Sequence, residues 1–69
     1  MNVGKAIKIR RIELGMSATM LCRLAECSIS YISCIEKNSR DPNLKIVLAI
    51  AEALDLAPSE LFARAEKLY

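Results

Sequence analysis

Apolar residues recur along the first part of the chain with the spacing of an amphipathic helix. Val3, Ile7 and Leu14 lie on one side of such a helix, separated by polar and charged residues. Gly15 follows Leu14 directly, at a position where helices often end in a residue with positive φ. The pattern predicts a first helix over residues 3–14.

Two shorter helical patterns follow, and each begins at a serine. Ser17 and Ser28 have side chains that can cap a helix N-terminus, and the helix that begins at Ser17 is expected to end near Ala25. The short turn between the two patterns predicts a helix-turn-helix over residues 17–37. The predicted inner faces are Leu21 and Leu24, with the small Cys22 at a close helix approach, and then Ile32 and Ile35.

The remainder of the chain predicts two more helices after a polar segment, residues 37–43. Asn43 can cap a fourth helix over residues 44–54, and Pro58 suits the first position of a fifth. The fourth helix carries apolar residues on more than one face, so part of it is a candidate interface. These residues are Leu44, Val47, Leu48, Ile50, Ala51 and Leu54.

Composition favours one compact all-α domain of five helices over residues 1–69, with the helix-turn-helix at its centre. The 69 residues are 54% hydrophobic but only 4% aromatic, with two glycines and two prolines, so the core must consist of aliphatic side chains on helices. A chain this short buries about 60% of its unfolded surface, and a partner subunit would add stability.

Several classes of function lack the residues they need. Three cysteines and no histidine, without CxxC spacing, predict reduced thiols and no metal site. Catalytic residue sets and a glycine-rich phosphate loop are missing, so we expect no enzyme activity, no cofactor and no small-molecule ligand. With neither a secretory signal nor an apolar run of about 18 residues, the expected location is cytoplasmic, without membrane association.

Charge is distributed unevenly between the two halves. Residues 1–40 contain seven Lys and Arg against three Glu, a net charge of +4, whereas the remainder carries three basic and five acidic residues, a net charge of −2. A basic half next to a helix-turn-helix suits binding to phosphate groups, although solvated helix faces would carry similar charges. A second helix held out from a small scaffold fits the major groove of B-DNA.

The chain resembles the five-helix, lambda-repressor-like domains of the phage repressor and Cro family, the XRE family. The resemblance covers residues 3–62 and rests on IRRIELGMS, SYISCIEKNSR and ALDLAPSELF. The second segment, followed by a short polar loop, is most similar to the controller proteins of restriction-modification systems. The resemblance implies a homodimeric transcriptional regulator that binds double-stranded DNA at an inverted repeat, as a controller or a small phage-type repressor.

Site residues follow from the same resemblance. Arg11 and Glu36 are expected to form a structural ion pair that fixes the angle of the recognition helix. The base-contacting candidates are Ile29, Ser30, Tyr31 and Cys34. The backbone-contacting candidates are Arg23, Ser33, Lys37, Asn38, Ser39 and Arg40. Ile29 can press on a thymine methyl group or be an ordinary exposed residue, and the Tyr31 ring can instead pack on the second helix.

Departures from the family pattern leave a second hypothesis open. Ala18 stands where many members have a phosphate-binding glutamine, Glu26 where glycine is usual, and Ile29 where a polar base-contacting residue is common. These residues favour a helical protein-interaction module, antitoxin-like or an adaptor, whereas the basic half and the KNSR loop favour DNA. Lys5, Lys8 and Arg10 are expected to provide only long-range attraction.

The dimerisation region is predicted within residues 44–69, on the fifth helix and the end of the fourth. Its candidates are Leu61, Phe62, Ala65 and Leu68, of which Leu61 and Phe62 can equally close the core of the monomer.

Overall fold

A computed structural model describes all residues, 1–69, and contains five α-helices and no strand. The all-α prediction is confirmed. The helices are α1 (Val3–Glu13), α2 (Ala18–Leu24), α3 (Ile29–Glu36), α4 (Leu44–Ala53) and α5 (Pro58–Glu66). No single helix is long and apolar enough to cross a membrane; α2 and α3 reach that length and composition only when counted together, across a bend of 115°.

Polar side chains cap four of the five helices. Asn2, Ser17, Ser28 and Asn43 each accept a hydrogen bond from the backbone N–H three residues later, at 2.9 to 3.1 Å. The fifth helix has Pro58 at its start. Because each cap satisfies an N–H group that has no partner within its helix, the starts of these helices are defined by single residues. The caps predicted at Ser17, Ser28 and Asn43 are confirmed.

The helix C-termini end in a shared backbone motif. After α1, α2, α3 and α4 the residue beyond the C-cap has a left-handed backbone, and two hydrogen bonds return to the last turn. Glycine occupies this position only at Gly15 (φ 66°), and a side chain is present at the other three. They are Glu26 (φ 55°), Asn38 (φ 59°) and Asp55 (φ 57°). The positive φ expected at Gly15 is therefore present, and Glu26, which stands where glycine is usual in the family, also adopts a positive φ.

Replacing Glu26 by glycine is expected to raise the free energy of unfolding by about 0.5 kcal/mol. Left-handed strain of about 1 kcal/mol is relieved, and the greater chain entropy of unfolded glycine offsets part of the gain. Urea titration followed by circular dichroism measures the change. Glu26→Ala removes the same charge but keeps the strain, so it should show no gain; a Glu26→Gly variant less stable than wild type would contradict the strain argument.

Twelve buried apolar residues from all five helices and their ends form one core. They are Ala6, Ile7, Leu21, Ala25, Ile32, Ile35, Val47, Ile50, Ala51, Leu54, Leu61 and Ala65. Around this core α1 packs against α3 and α5, α2 against α3 and α4, and α4 against α5. No buried side-chain nitrogen or oxygen lacks a hydrogen-bond partner. The helix-turn-helix is thus held from both sides, by α1 and by α4.

One inward assignment on α2 is wrong. Leu24 is 56% exposed, whereas Leu21 is fully buried and Ala25 is 4% exposed. A helix of seven residues presents only a narrow inner stripe, and here the stripe follows the i, i+4 pair Leu21 and Ala25. Cys22 contacts this core from the side, as a small residue can.

Candidate nucleic-acid interface

The recognition helix α3 leaves α2 at 115°, within the range expected for a helix-turn-helix. Its inner face carries Ile32 and Ile35, which are both buried. The opposite side carries Ser30 and Cys34 one turn apart, with Ile29 and Ser33 beside them. Ile29 and Ser30 are exposed, and Ser33 and Cys34 are half-buried. This side of α3 offers two hydroxyls, a thiol and one apolar side chain to a ligand.

An ion pair joins α1 to the end of the recognition helix, as predicted for Arg11 and Glu36. The Arg11 guanidinium donates to both Glu36 carboxylate oxygens, at 2.8 and 3.0 Å. Only 14% and 9% of the two side chains are exposed. Arg11 also donates to the carbonyl of Met16 at 2.9 Å, in the link between α1 and α2. The hydrogen bond to Glu36 raises the pKa of Arg11, so the cation is favoured further.

A second contact between α1 and α3 was not predicted from the sequence. Gly4 is buried, and a Cβ atom built on it would lie 2.0 Å from the carbonyl oxygen of Ile35. The same atom would meet the Asn38 side-chain oxygen at 2.9 Å. The backbone of α1 therefore contacts the last turn of the recognition helix directly. A glycine within a predicted helix, where it costs helix stability, was the one signal in the sequence for such a contact.

The loop after α3 presents the predicted backbone-contacting residues to solvent. Lys37, Asn38, Ser39 and Arg40 are all exposed, and neither Lys37 nor Arg40 forms an ion pair. The amides of Asn38 and Ser39 donate to carbonyls of α3 at 3.0 and 2.9 Å, so they are already used within the chain. What the loop offers a phosphate is therefore its side chains. Arg23 on α2 is exposed as well.

Tyr31 lies apart from the open face of α3. The side chain is half-buried, packs against the core and faces the loop that follows the helix. Its hydroxyl oxygen accepts a hydrogen bond from the amide of Asn43 at 3.3 Å, and the Arg40 guanidinium lies 4.8 Å from the ring centroid. The structure thus joins a predicted base-contacting residue to a predicted backbone-contacting residue.

Arg10 has a structural role that was not predicted from the sequence. Its side chain donates to the carbonyl of Leu54 at 3.0 Å and pairs with Glu13 at 3.4 Å, and only 19% of it is exposed. Glu13 in turn accepts from Arg64 on α5 at 2.9 Å, and this hydrogen bond lowers the pKa of Glu13. This side chain therefore ties α1 to the end of α4, in addition to the long-range attraction predicted for it.

Burial corrects two of the predicted interface residues. Leu61 and Ala65 are both 0% exposed within the monomer, so neither can form a dimer surface. They occupy the inner face of α5, where one apolar stripe serves the core. Phe62 and Leu68 remain half-buried and lie in different places. Phe62 lines a cavity of about 280 Å³ with Leu44 and Val3, and Leu68 lines another of about 200 Å³ with Ile9.

The cysteines are free thiols, and no group of side chains is arranged to hold a metal ion. Cys22 and Cys27 pack against the core on either side of the turn between α2 and α3. Burial, with a smaller effect of Cys22, raises the pKa of Cys27 and favours its protonated thiol. Both residues therefore serve as small apolar side chains of the helix-turn-helix.

Comparison with known proteins gives one family and several similar structures. A family model described as helix-turn-helix matches residues 7–61. The restriction-modification controller protein C.AhdI from Aeromonas hydrophila is 33% identical, with a TM-score of 0.85, over 88% of this chain and 92% of that one. The wild-type controller protein C.Esp1396I is 32% identical, with a TM-score of 0.87, over 96% of this chain and 85% of that one.

A phage repressor is similar to a comparable degree. The P22 c2 repressor, solved in complex with a synthetic operator, is 30% identical with a TM-score of 0.80, over 88% of this chain and 92% of that one. No curated protein sequence matches this chain significantly. Two of the three similar structures are thus controllers of restriction-modification systems and the third is an operator-bound repressor.

Proposed function

Because the chain belongs to the XRE-type helix-turn-helix family, we propose that it is a transcriptional regulator that binds double-stranded DNA in a sequence-specific manner. The proposal rests on the position of the recognition helix. The Arg11–Glu36 ion pair and the close contact at Gly4 fix this helix against α1, and the loop that follows it carries two cations without ion-pair partners, Lys37 and Arg40. Helix α3 enters the major groove, and the side chains of the loop after it bind phosphates beside that groove. The chain acts by occupying a promoter site, and not as an enzyme.

Base readout in this protein depends on hydroxyl and apolar contacts. Ser30 and Cys34 line the outer side of α3, beside Ser33, a backbone-contacting candidate, and no arginine or lysine lies within the helix itself. Bidentate recognition of guanine by arginine from α3 is therefore absent, and Ile29 contacts a thymine methyl group. Such contacts discriminate weakly one at a time, so most of the affinity comes from phosphates. The operator consequently differs from that of relatives with polar residues at these positions.

The loop cations provide the test of this function. Arg40→Ala should weaken binding to every duplex and lower the slope of log affinity against log salt by about 1, because one fewer counterion is released. Fluorescence anisotropy with a labelled duplex, at salt concentrations from about 50 to 300 mM, measures the affinity and its salt slope. Lys8→Ala, which removes one positive charge from an exposed position of α1, is the control and should alter the slope much less. Equal slopes for wild type and Arg40→Ala would remove the loop from the interface.

The regulator acts as a homodimer on an inverted repeat. One helix of eight residues offers few base contacts, and two copies on successive major grooves, about 34 Å apart, double them. Exposed apolar residues outside the recognition helix support a surface on α4 and α5. Leu44 is 66% exposed and Leu48 is 44% exposed, one turn apart on α4, and Phe62 shares a cavity with Leu44. Leu68 belongs to a separate cavity and contributes less.

Leu48→Glu is expected to convert the dimer to monomers and to weaken binding to an inverted repeat, since a charge would be buried at the α4 surface. Sedimentation velocity measures the oligomeric state directly. Leu24→Glu is the matched control, because Leu24 is 56% exposed and lies on α2 beside the end of α4, away from Leu44, Leu48 and Phe62. Dimers that persist in Leu48→Glu and disappear in Leu24→Glu would assign the interface to α2.

The alternative function, a protein-interaction module without sequence-specific DNA binding, draws support from two features. Glu26 adds a negative charge next to the recognition helix, and Leu24 leaves an apolar side chain exposed on α2. A protein partner would bind with little salt dependence, because an apolar contact displaces no condensed counterions. The anisotropy titration therefore separates the two functions as well.

A further inference from the structure

The loop that follows the recognition helix is attached to the helix through one side chain, Tyr31. Its ring contacts Arg40, three residues after Lys37, at 4.8 Å from the ring centroid. Its hydroxyl oxygen accepts from the amide of Asn43, which is also the N-cap residue of α4. Tyr31 therefore contacts the loop both at its cationic residue and at its last residue before α4. No other side chain of α3 forms a hydrogen bond to the loop.

These two contacts restrict different degrees of freedom. A guanidinium above an aromatic ring is attracted by the ring's electron density and loses part of its rotational freedom. A hydrogen bond to the Asn43 amide limits the path of the polar segment between α3 and α4. A side chain that is already ordered before binding loses less conformational entropy when it contacts a phosphate. The stacking thus orients Arg40, and the hydrogen bond orders the segment that carries it.

We propose that Tyr31 is a positioning residue for phosphate binding, which holds the loop and the Arg40 side chain in the conformation that contacts the DNA backbone. This inference rests on the proposed DNA-binding function. It changes the role predicted for Tyr31, because a residue that acts through Arg40 affects binding to all duplexes, whatever their base sequence.

A double-mutant cycle between Tyr31 and Arg40 tests the proposal on a duplex of arbitrary sequence. The variants are Tyr31→Leu, Arg40→Ala and the double variant, and anisotropy measures Kd at one low salt concentration. Tyr31→Leu should weaken binding about two- to fivefold, the range expected for loss of one exposed cation–π contact. In the Arg40→Ala background the same substitution should have no further effect. Thermal denaturation of each variant checks that the comparison is made between folded proteins.

Tyr31→Phe separates the two contacts, because it keeps the ring and removes the hydroxyl. Amide hydrogen exchange of the free protein should become about two- to tenfold faster at Asn43, the factor expected for one lost hydrogen bond. The amide of Ile46, which donates to the Asn43 side chain at 2.9 Å, is the internal reference and should not change. This measurement requires no DNA.

The outcomes distinguish this inference from the function on which it rests. Coupled effects of Tyr31→Leu and Arg40→Ala, together with faster exchange at Asn43, support the positioning role. Effects that add independently, in a protein that still binds duplex, overturn that role and return Tyr31 to direct contact with DNA. A wild-type protein that fails to bind any duplex contradicts the proposed function, and the positioning role in DNA binding fails with it.

Discussion

Glu36→Ala is expected to lower the free energy of unfolding by about 3 kcal/mol, the largest loss we expect from one substitution between α1 and α3. The Glu36 carboxylate accepts two hydrogen bonds from Arg11, and 9% of its side chain is exposed. Removal leaves a guanidinium with 14% exposure and without its anion. For a domain of this length the loss corresponds to a decrease in Tm of about 15 °C, which differential scanning calorimetry measures.

Replacement of both partners provides the internal comparison. In Arg11→Met/Glu36→Leu no buried charge is left unpaired, so this double variant should be more stable than Glu36→Ala. Glu52→Ala, on an exposed position of α4, is the control for loss of a glutamate and should change stability little. A Glu36→Ala variant as stable as Glu52→Ala would mean that solvent already screens the pair between α1 and α3.

Gly4→Ala is expected to lower the free energy of unfolding by about 2 kcal/mol, even though alanine is the better helix former. A gain of about 1 kcal/mol in helix propensity is outweighed by overpacking of about 3 kcal/mol. The added Cβ would meet the Ile35 carbonyl oxygen at 2.0 Å, and a backbone atom at the end of a packed helix cannot move aside alone. Because α1 and α3 must separate, binding to DNA should weaken as well.

Urea titration of Gly4→Ala, with Gly15→Ala beside it, separates overpacking from backbone strain. Gly15 has nothing within 4 Å of an added Cβ but has a φ of 66°, so its substitution should cost only about 1 kcal/mol. A Gly4→Ala variant more stable than wild type would mean that the gain in helix propensity is not opposed by overpacking, which would contradict the close contact between α1 and α3.

Local signals predicted the helices well because each depends on residues near in sequence. The caps at Ser17, Ser28 and Asn43 and the positive φ at Gly15 follow from single side chains next to a helix end. The recognition helix itself followed from the same rules, combined with the resemblance to a known family. Where a residue contacts partners no more than three or four positions away in the chain, its role could be predicted from the sequence.

Features that depend on packing between helices were predicted less well. The spacing of Leu21 and Leu24 allows either residue to face the core. Leu21 is buried and Leu24 is exposed, a difference that depends on how α2 packs against α3 and α4. An apolar stripe on α5 does not distinguish burial in the monomer from burial in a dimer, and Leu61 and Ala65 are in the core. The close contact at Gly4 could not be predicted without knowing that the backbone of Ile35 lies opposite it.

The same limit applies within the candidate site. The Arg11 and Glu36 pair was predictable from the family resemblance alone, because the two residues are 25 positions apart. The family resemblance implied that Tyr31 contacts bases, whereas its hydrogen bond from Asn43 depends on the path of the loop. Arg10 gave no sequence signal of its contact with the Leu54 carbonyl. Side-chain roles that span two elements had to come from the structure.

Selection from a pool of random duplexes, with the purified protein near physiological salt, shows whether the protein recognises a DNA sequence as a dimer. We expect enrichment of an inverted repeat whose half-sites are separated by about one helical turn, since two copies of α3 enter successive major grooves. Sequencing of the retained DNA would also give the operator and the promoters to search for. Weak retention that depends on salt but enriches no sequence would contradict sequence-specific regulation.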